Sequence, residues 1–278
     1  MHNDAARLPI GVFDSGVGGL TVYHALKAVL PHENFLYLGD TARVPYGIKT
    51  PDTIIQYAIQ AARLLTDEGI KFLVIACNTA TGPALPILQK IYPKIPVMGV
   101  IEPGAEAALA VSKTKRIGVI ATSATVAAHS YHEALKRLDH EAYIIEKAAS
   151  LLVPLAEEGL IEGEIPLSIV HHYLDELLGQ QGDQALDTLI LGCTHFPVLA
   201  KVIRQVVGDT MQIVDSAESV SQAVRRYFET HPALKNQQKT KSLSQFWVTD
   251  GVGRFMNVAQ TFLSEELSAA QVKLVDLI

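Results

Sequence analysis

Only two cysteines occur in the 278 residues, Cys77 and Cys193. So small a number in so long a chain excludes a disulfide framework and fits a reducing compartment in which both are free thiols. Basic charge is also scarce: 23 Lys and Arg stand against 29 Asp and Glu, a formal net charge of −6. That balance offers no attraction to a phosphate backbone or an anionic bilayer, so no nucleic acid and no membrane are expected as partners. No run approaches the ~20 apolar residues that span a bilayer, and the opening Met1-His2-Asn3-Asp4 is too polar for an export signal. A cytoplasmic protein is expected. Nucleotide loops are missing as well: the turn Asp14-Ser15-Gly16-Val17-Gly18-Gly19 fails G-x-G-x-x-G at Thr21, and Gly47-Ile48-Lys49-Thr50 lacks phosphate-loop spacing. Two distant cysteines without C-x-x-C or H-x-x-x-H neighbours make no zinc site, and the adjacent His171 and His172 point apart on a helical pattern. No metal is expected.

What the chain has in abundance is short runs of Val, Ile and Leu, each followed by a segment of helical period. Strands are predicted at Ile10–Phe13, Phe35–Leu38, Phe72–Ala76, Val97–Val100, Ile117–Ala121, Tyr143–Ile145, Thr188–Gly192, Gln212–Val214 and Phe246–Thr249. Their near-continuous apolarity suits parallel strands buried on both faces. Helices are predicted from about Leu20 and at Thr53–Glu68, Tyr131–Leu138, Ile165–Leu178, Pro197–Val207 and Asn257–Leu263, covering both sheet faces. The polar stretch His231–Ser244, with Lys235, Lys239 and Lys241, reads as a solvated loop.

The chain also repeats itself weakly. Ile10-Gly11-Val12-Phe13-Asp14-Ser15 is echoed by Ile117-Gly118-Val119-Ile120-Ala121-Thr122, and Leu73-Val74-Ile75-Ala76-Cys77-Asn78-Thr79 by Leu189-Ile190-Leu191-Gly192-Cys193-Thr194-His195. Any two α/β units share apolar strands, but here the cysteines coincide as well. The expected fold is therefore α/β, with two similar doubly wound domains, mainly parallel sheets and a cleft between them. Residues 1–98 with 211–278 would form one domain and residues 99–210 the other, a length per domain within the usual ~100–200 residues.

A lone cysteine beside an apolar run is most often a small core residue. These two differ in lying at strand ends, each followed by hydrogen-bonding residues. At such a helix N-terminus the backbone dipoles favour a thiolate, so a thiol pKa lowered from ~8.5 is expected, as a proton-transfer base requires. The glycine turn after the first strand could present amides to an anion or serve packing alone. Cys193 and His195 also form a nucleophile-like pair. They are, however, two residues apart in one turn, and a hydrolase has no use for the second cysteine.

The segments Asp14-Ser15-Gly16-Val17-Gly18-Gly19, Gly39-Asp40-Thr41-Ala42-Arg43-Val44-Pro45-Tyr46-Gly47, Ala76-Cys77-Asn78-Thr79-Ala80-Thr81, Gly192-Cys193-Thr194-His195-Phe196-Pro197 and Val248-Thr249-Asp250 run almost end to end through the chain. Together they resemble the glutamate racemases. The resemblance implies two α/β domains across a cleft, no pyridoxal phosphate or metal as cofactor, glutamate as substrate and a role in bacterial peptidoglycan synthesis. It makes Cys77 and Cys193 the acid/base residues, with Asp14 assisting the first and His195 the second. Ser15, Asn78, Thr79, Thr194 and the Tyr46–Gly47 turn would hold the substrate, beside Thr122 and Thr125. The family's Pro-Leu-Val-Glu stretch falls on Pro154-Leu155-Ala156-Glu157, but Ala148-Ala149-Ser150 replace the Cys-Pro often found before it, so Glu157 receives no definite role. A homodimer is compatible with the resemblance and not required by it.

Three other readings stand beside this one. An aspartate racemase of the same superfamily shares the two-thiol plan but typically carries Glu where His195 stands. A related decarboxylase would need one cysteine only. A non-catalytic, two-lobed amino-acid-binding protein would have no need of two placed thiols.

Overall fold

A computed structural model describes residues 4–182, 184–236, 242–263 and 266–277. Strands β1 (Ile10–Asp14), β2 (Phe35–Gly39), β3 (Phe72–Ile75) and β4 (Val97–Gly99) alternate with helices α1 (Leu20–Val29), α2 (Pro51–Asp67), α3 (Asn78–Ile91) and α4 (Ile101–Val111). Next come β5 (Arg116–Ala121), α5 (Ser123–Ala127), α6 (Ser130–Leu138), β6 (Tyr143–Ala148), α7 (Leu152–Glu157) and α8 (Glu164–Gly179). The chain closes with β7 (Thr188–Gly192), α9 (Ala200–Val207), β8 (Gln212–Asp215), α10 (Ser216–Thr230), β9 (Ser244–Val248), α11 (Val252–Phe262) and β10 (Val272–Leu274).

Two sheets result, ordered β10-β9-β2-β1-β3-β4 and β6-β5-β7-β8, and every strand pairing in them is parallel. This is the α/β architecture expected from the sequence. The order β2-β1-β3-β4 in the larger sheet returns as β6-β5-β7-β8 in the smaller. The weak internal repeat is thus a repeat of topology, with Cys77 just beyond β3 and Cys193 just beyond β7, its counterpart. β8 pairs with β7, so the second sheet runs past the boundary expected at residue 210. Lys239 and Lys241 of the expected loop lie outside the described residues.

Alternation along the strands feeds separate cores, as the period of two requires. In β3 and just after it, Phe72, Val74 and Ala76 face an apolar cluster shared with α1 and α10, while Leu73, Ile75 and Cys77 face another built by α2 and α3. In the smaller sheet Leu189 and Leu191 turn toward α8 and α9, and Ile190 toward α4 and α6. Helices therefore cover both faces of each sheet. Helix α10 packs on both α1 and α4, and its Val220, Val224 and Phe228 are fully buried. It ties the two halves together.

Candidate active site

The carboxyl ends of β1, β3, β5 and β7 converge on one cavity of about 270 Å³, where open α/β sheets bind ligands. Ten of the residues singled out in the sequence line it: Ser15, Tyr46, Gly47, Cys77, Asn78, Thr79, Thr122, Cys193, Thr194 and His195. Both sulfurs thus reach the same space, one from each sheet. Asp14 and Thr125 stand behind that wall. Buried Asp14 accepts the Gly16 amide on Oδ2 at 2.9 Å. The Thr125 hydroxyl lies 3.0 Å from that of Thr122 and 3.2 Å from that of Thr79, and the latter two are 2.9 Å apart. The three threonines thereby join the start of α3 to the end of β5.

Close approach between the halves depends on missing side chains. A β-carbon at Gly18 would lie 2.4 Å from Thr194 Oγ1 and 2.5 Å from the His195 ring. One at Gly47 would lie 3.0 Å from Thr122 Cβ. Thr21 adds a hydrogen bond from its hydroxyl to the Thr194 carbonyl at 3.0 Å. Gly18 in the first glycine turn therefore serves packing against the second half.

The surroundings of the thiols differ. Cys77 caps α3, with its Sγ 3.5 Å from Ser15 Oγ. The sequence led to the expectation of a lowered pKa here, and the structure reverses it: burial, then the negative Asp14, push the Cys77 thiol up to about 12. Ser15 and the Ala80 amide oppose the rise without cancelling it. Desolvation of a fully enclosed anion outweighs the helix terminus. Cys193 lies 3.7 Å from His195 Nδ1, and His195 Nε2 lies 3.1 Å from Glu157 Oε1. Burial opposes a charge on the imidazole, but its bonds to Cys193 and Glu157 carry the His195 pKa up to about 10. Glu157 is held below the ordinary carboxylate range, chiefly by its hydrogen bond to His195. Burial in turn raises Asp14, against the pull of the His195 charge.

Several supporting residues were not legible in the sequence. Asp40 is fully buried and accepts from Tyr46 Oη, from Arg43 Nε at 2.6 Å and from Thr249 Oγ1 at 2.9 Å. This fixes the Tyr46–Gly47 turn and gives the Val248-Thr249-Asp250 segment a structural task. Glu157, which the sequence places without a definite role, does line the cavity, with Ser150, Val153 and Pro154. Helix α11 closes over this side: Arg254 Nη2 reaches Glu157 Oε2 at 3.3 Å, and Phe262 meets the His195 ring edge-on at 5.5 Å. Among the described residues, no three His, Cys, Asp or Glu side chains are grouped to hold a metal ion, and no helix is long and apolar enough to cross a membrane.

Comparison with known proteins places these features in a family. Residues 10–224 match the model of the Asp/Glu/hydantoin racemase family. The glutamate racemase of Aquifex aeolicus is 48% identical over 220 residues, covering 79% of this chain and 83% of that protein. Among solved structures, a glutamate racemase isoform from Bacillus anthracis superposes with a TM-score of 0.91 at 34% identity over 98% of both chains. The glutamate racemase of Francisella tularensis, crystallised with D-glutamate, gives 0.89 at 33% identity, also over 98% of both.

Proposed function

The chain belongs to the Asp/Glu/hydantoin racemase family and, within it, to the glutamate racemases, and on that premise we propose that it interconverts L- and D-glutamate without a cofactor. One observation carries the reading: two buried cysteines, placed by equivalent strands of two sheets, line a single cavity. An α-proton of an amino acid is so weakly acidic that its removal needs a base on one face, an acid on the other and donors for the developing enediolate. In this proposal Cys77 and Cys193 are base and acid in turn. Backbone amides and hydroxyls of Ser15, Asn78, Thr79, Thr122 and Thr194 bind the carboxylates, and Asp14 faces the Cys77 side.

The resemblance to the glutamate racemases supplies the direction: the form that meets L-glutamate uses Cys193 as base and Cys77 as acid, and the form that meets D-glutamate uses Cys77 as base and Cys193 as acid. The His195 cation, fixed by Glu157, stands beside Cys193 throughout. Each turnover leaves the protons exchanged, primed for the other enantiomer. The product would supply D-glutamate to bacterial peptidoglycan in the cytoplasm.

The test is direct. Purified, dialysed protein is given L-glutamate alone, and optical activity is followed by circular dichroism. Decay of the signal to zero, with an identical endpoint from D-glutamate, is expected. A constant signal, or decay only after pyridoxal phosphate or metal is added, would overturn the reading.

A further inference from the structure

Tyr131 is completely buried and does not line the cavity, yet it touches the turns that carry both thiols. Its Oη donates to Asn78 Oδ1 at 2.7 Å, and Asn78 is the residue after Cys77 and the first of α3. Its ring lies against Gly192, the residue before Cys193: a β-carbon there would fall 2.9 Å from Tyr131 Cε2. On the other edge, a β-carbon at Gly104 of α4 would lie 3.2 Å from Cε1 and from Oη. Both distances are inside ordinary contact, so the ring is gripped between two glycine backbones. The Asn78 amide is also held from a third element, donating through Nδ2 to Ser216 Oγ at 3.5 Å, at the start of α10.

We propose that Tyr131 is a positioning residue that fixes the Cys77 turn relative to the Cys193 turn, its hydroxyl acting on the first and its ring on the second. The proposal rests on the two-thiol reading above. Burial raises the phenol pKa, so the hydroxyl stays protonated and keeps its proton for Asn78. With its oxygen occupied, the Asn78 amide holds one orientation in the cavity wall. Misplacement of reacting groups by about 1 Å can cost ~100-fold in rate, so a rigid spacer between two bases on different sheets has a kinetic use.

The division between hydroxyl and ring gives an experiment that a merely structural role would not satisfy. Glutamate analogues with a β-leaving group isolate one face. The α-proton passes to a single sulfur, the β-substituent departs with its electron pair, and the resulting enamine hydrolyses to a 2-oxo acid and ammonium. Tyr131→Phe keeps the ring and removes the hydroxyl, with its bond to Asn78 and its interaction with Ser216. It is expected to slow elimination from the D-analogue, served by Cys77, on the order of tenfold, the weight of one buried hydrogen bond. Elimination from the L-analogue should stay within about twofold of wild type on the same scale. Should Tyr131→Phe fail to fold, Ser216→Ala, which removes the other partner of the Asn78 amide, is expected to show the same D-side bias. Equal loss on both sides, or no loss, would overturn the proposal. Cys77→Ser and Cys193→Ser measured in parallel separate the two ideas: if they show opposite selectivity while Tyr131→Phe shows none, Tyr131 alone is misassigned. If they show no selectivity, the two-thiol reading fails and the proposal with it.

Discussion

His195 Nε2 stands 3.1 Å from Glu157 Oε1, and through that contact a carboxylate on α7 governs the charge of the imidazole facing Cys193. Glu157→Gln removes the negative charge and should lower the His195 pKa from about 10 toward its ordinary 6.5. The folded-state pKa is the raised one. Its stabilising contribution is therefore complete below about 6.5 and lost as pH climbs toward about 10. Wild type should lose thermal stability across that window, and the Gln variant should lose less. Its racemisation should fall on the order of tenfold, about 1.4 kcal/mol of barrier. Identical stability-versus-pH curves would break the link between these residues.

The elevated Cys77 pKa yields a one-sided pH dependence. In the two-thiol proposal, proton removal from a D-substrate needs the Cys77 thiolate, which burial makes scarce below a pKa of about 12. We predict that kcat/KM for elimination from the D-analogue rises with pH up to the highest value the fold tolerates. A plateau near neutrality would show that the thiolate forms more easily than its surroundings allow.

Gly18→Ala tests the contact between the halves. Its methyl would need the space of Thr194 and His195, so the turn must shift. Overpacking of this kind costs ~1–3 kcal/mol. Activity should fall further than stability, because the displaced residues are the cavity's own. Full activity with unchanged melting temperature would contradict the packing assigned to this glycine.

Asp40→Asn should act through Tyr46. The carboxylate is fully buried and gathers Tyr46, Arg43 and Thr249. Neutralising it leaves the partly buried Arg43 cation without its counter-charge, so a loss of ~3 kcal/mol is expected on denaturant unfolding, with a raised KM for glutamate. Less than ~0.5 kcal/mol, the scale of an ordinary surface change, would show that the turn is held by other means.

All nine strands expected from the sequence exist, because parallel strands buried on both faces leave apolar runs such as Phe72-Leu73-Val74-Ile75 with nothing to confuse them. β10 was missed: Val272-Lys273-Leu274 is three residues long, lies at a sheet edge and is largely exposed. Helix α3 carries Pro83 and Pro86, which sequence rules read as breaks. Helix α11 begins five residues before the expected Asn257, since Val252-Gly253-Arg254 shows no apolar period. The cavity-lining residues could be named because they follow strands in recognisable motifs. Tyr131, Asp40 and Arg254 could not: each acts through a partner tens to a hundred positions away or through a turn whose shape the sequence does not display. The lowered pKa expected of Cys77 failed for the same reason, as its burial and its proximity to Asp14 are tertiary facts.

The central claim is that Cys77 and Cys193 serve opposite faces of one α-carbon, and elimination from the two enantiomers of a β-substituted glutamate measures it most directly. Serine is too weak an acid to supply a comparable base near neutrality, so each single variant should lose racemisation by on the order of 10²–10⁴-fold while keeping one half-reaction. Cys77→Ser is predicted to retain elimination from the L-analogue and lose it from the D-analogue, and Cys193→Ser to do the reverse. Equal loss of both eliminations in each folded variant would contradict the account.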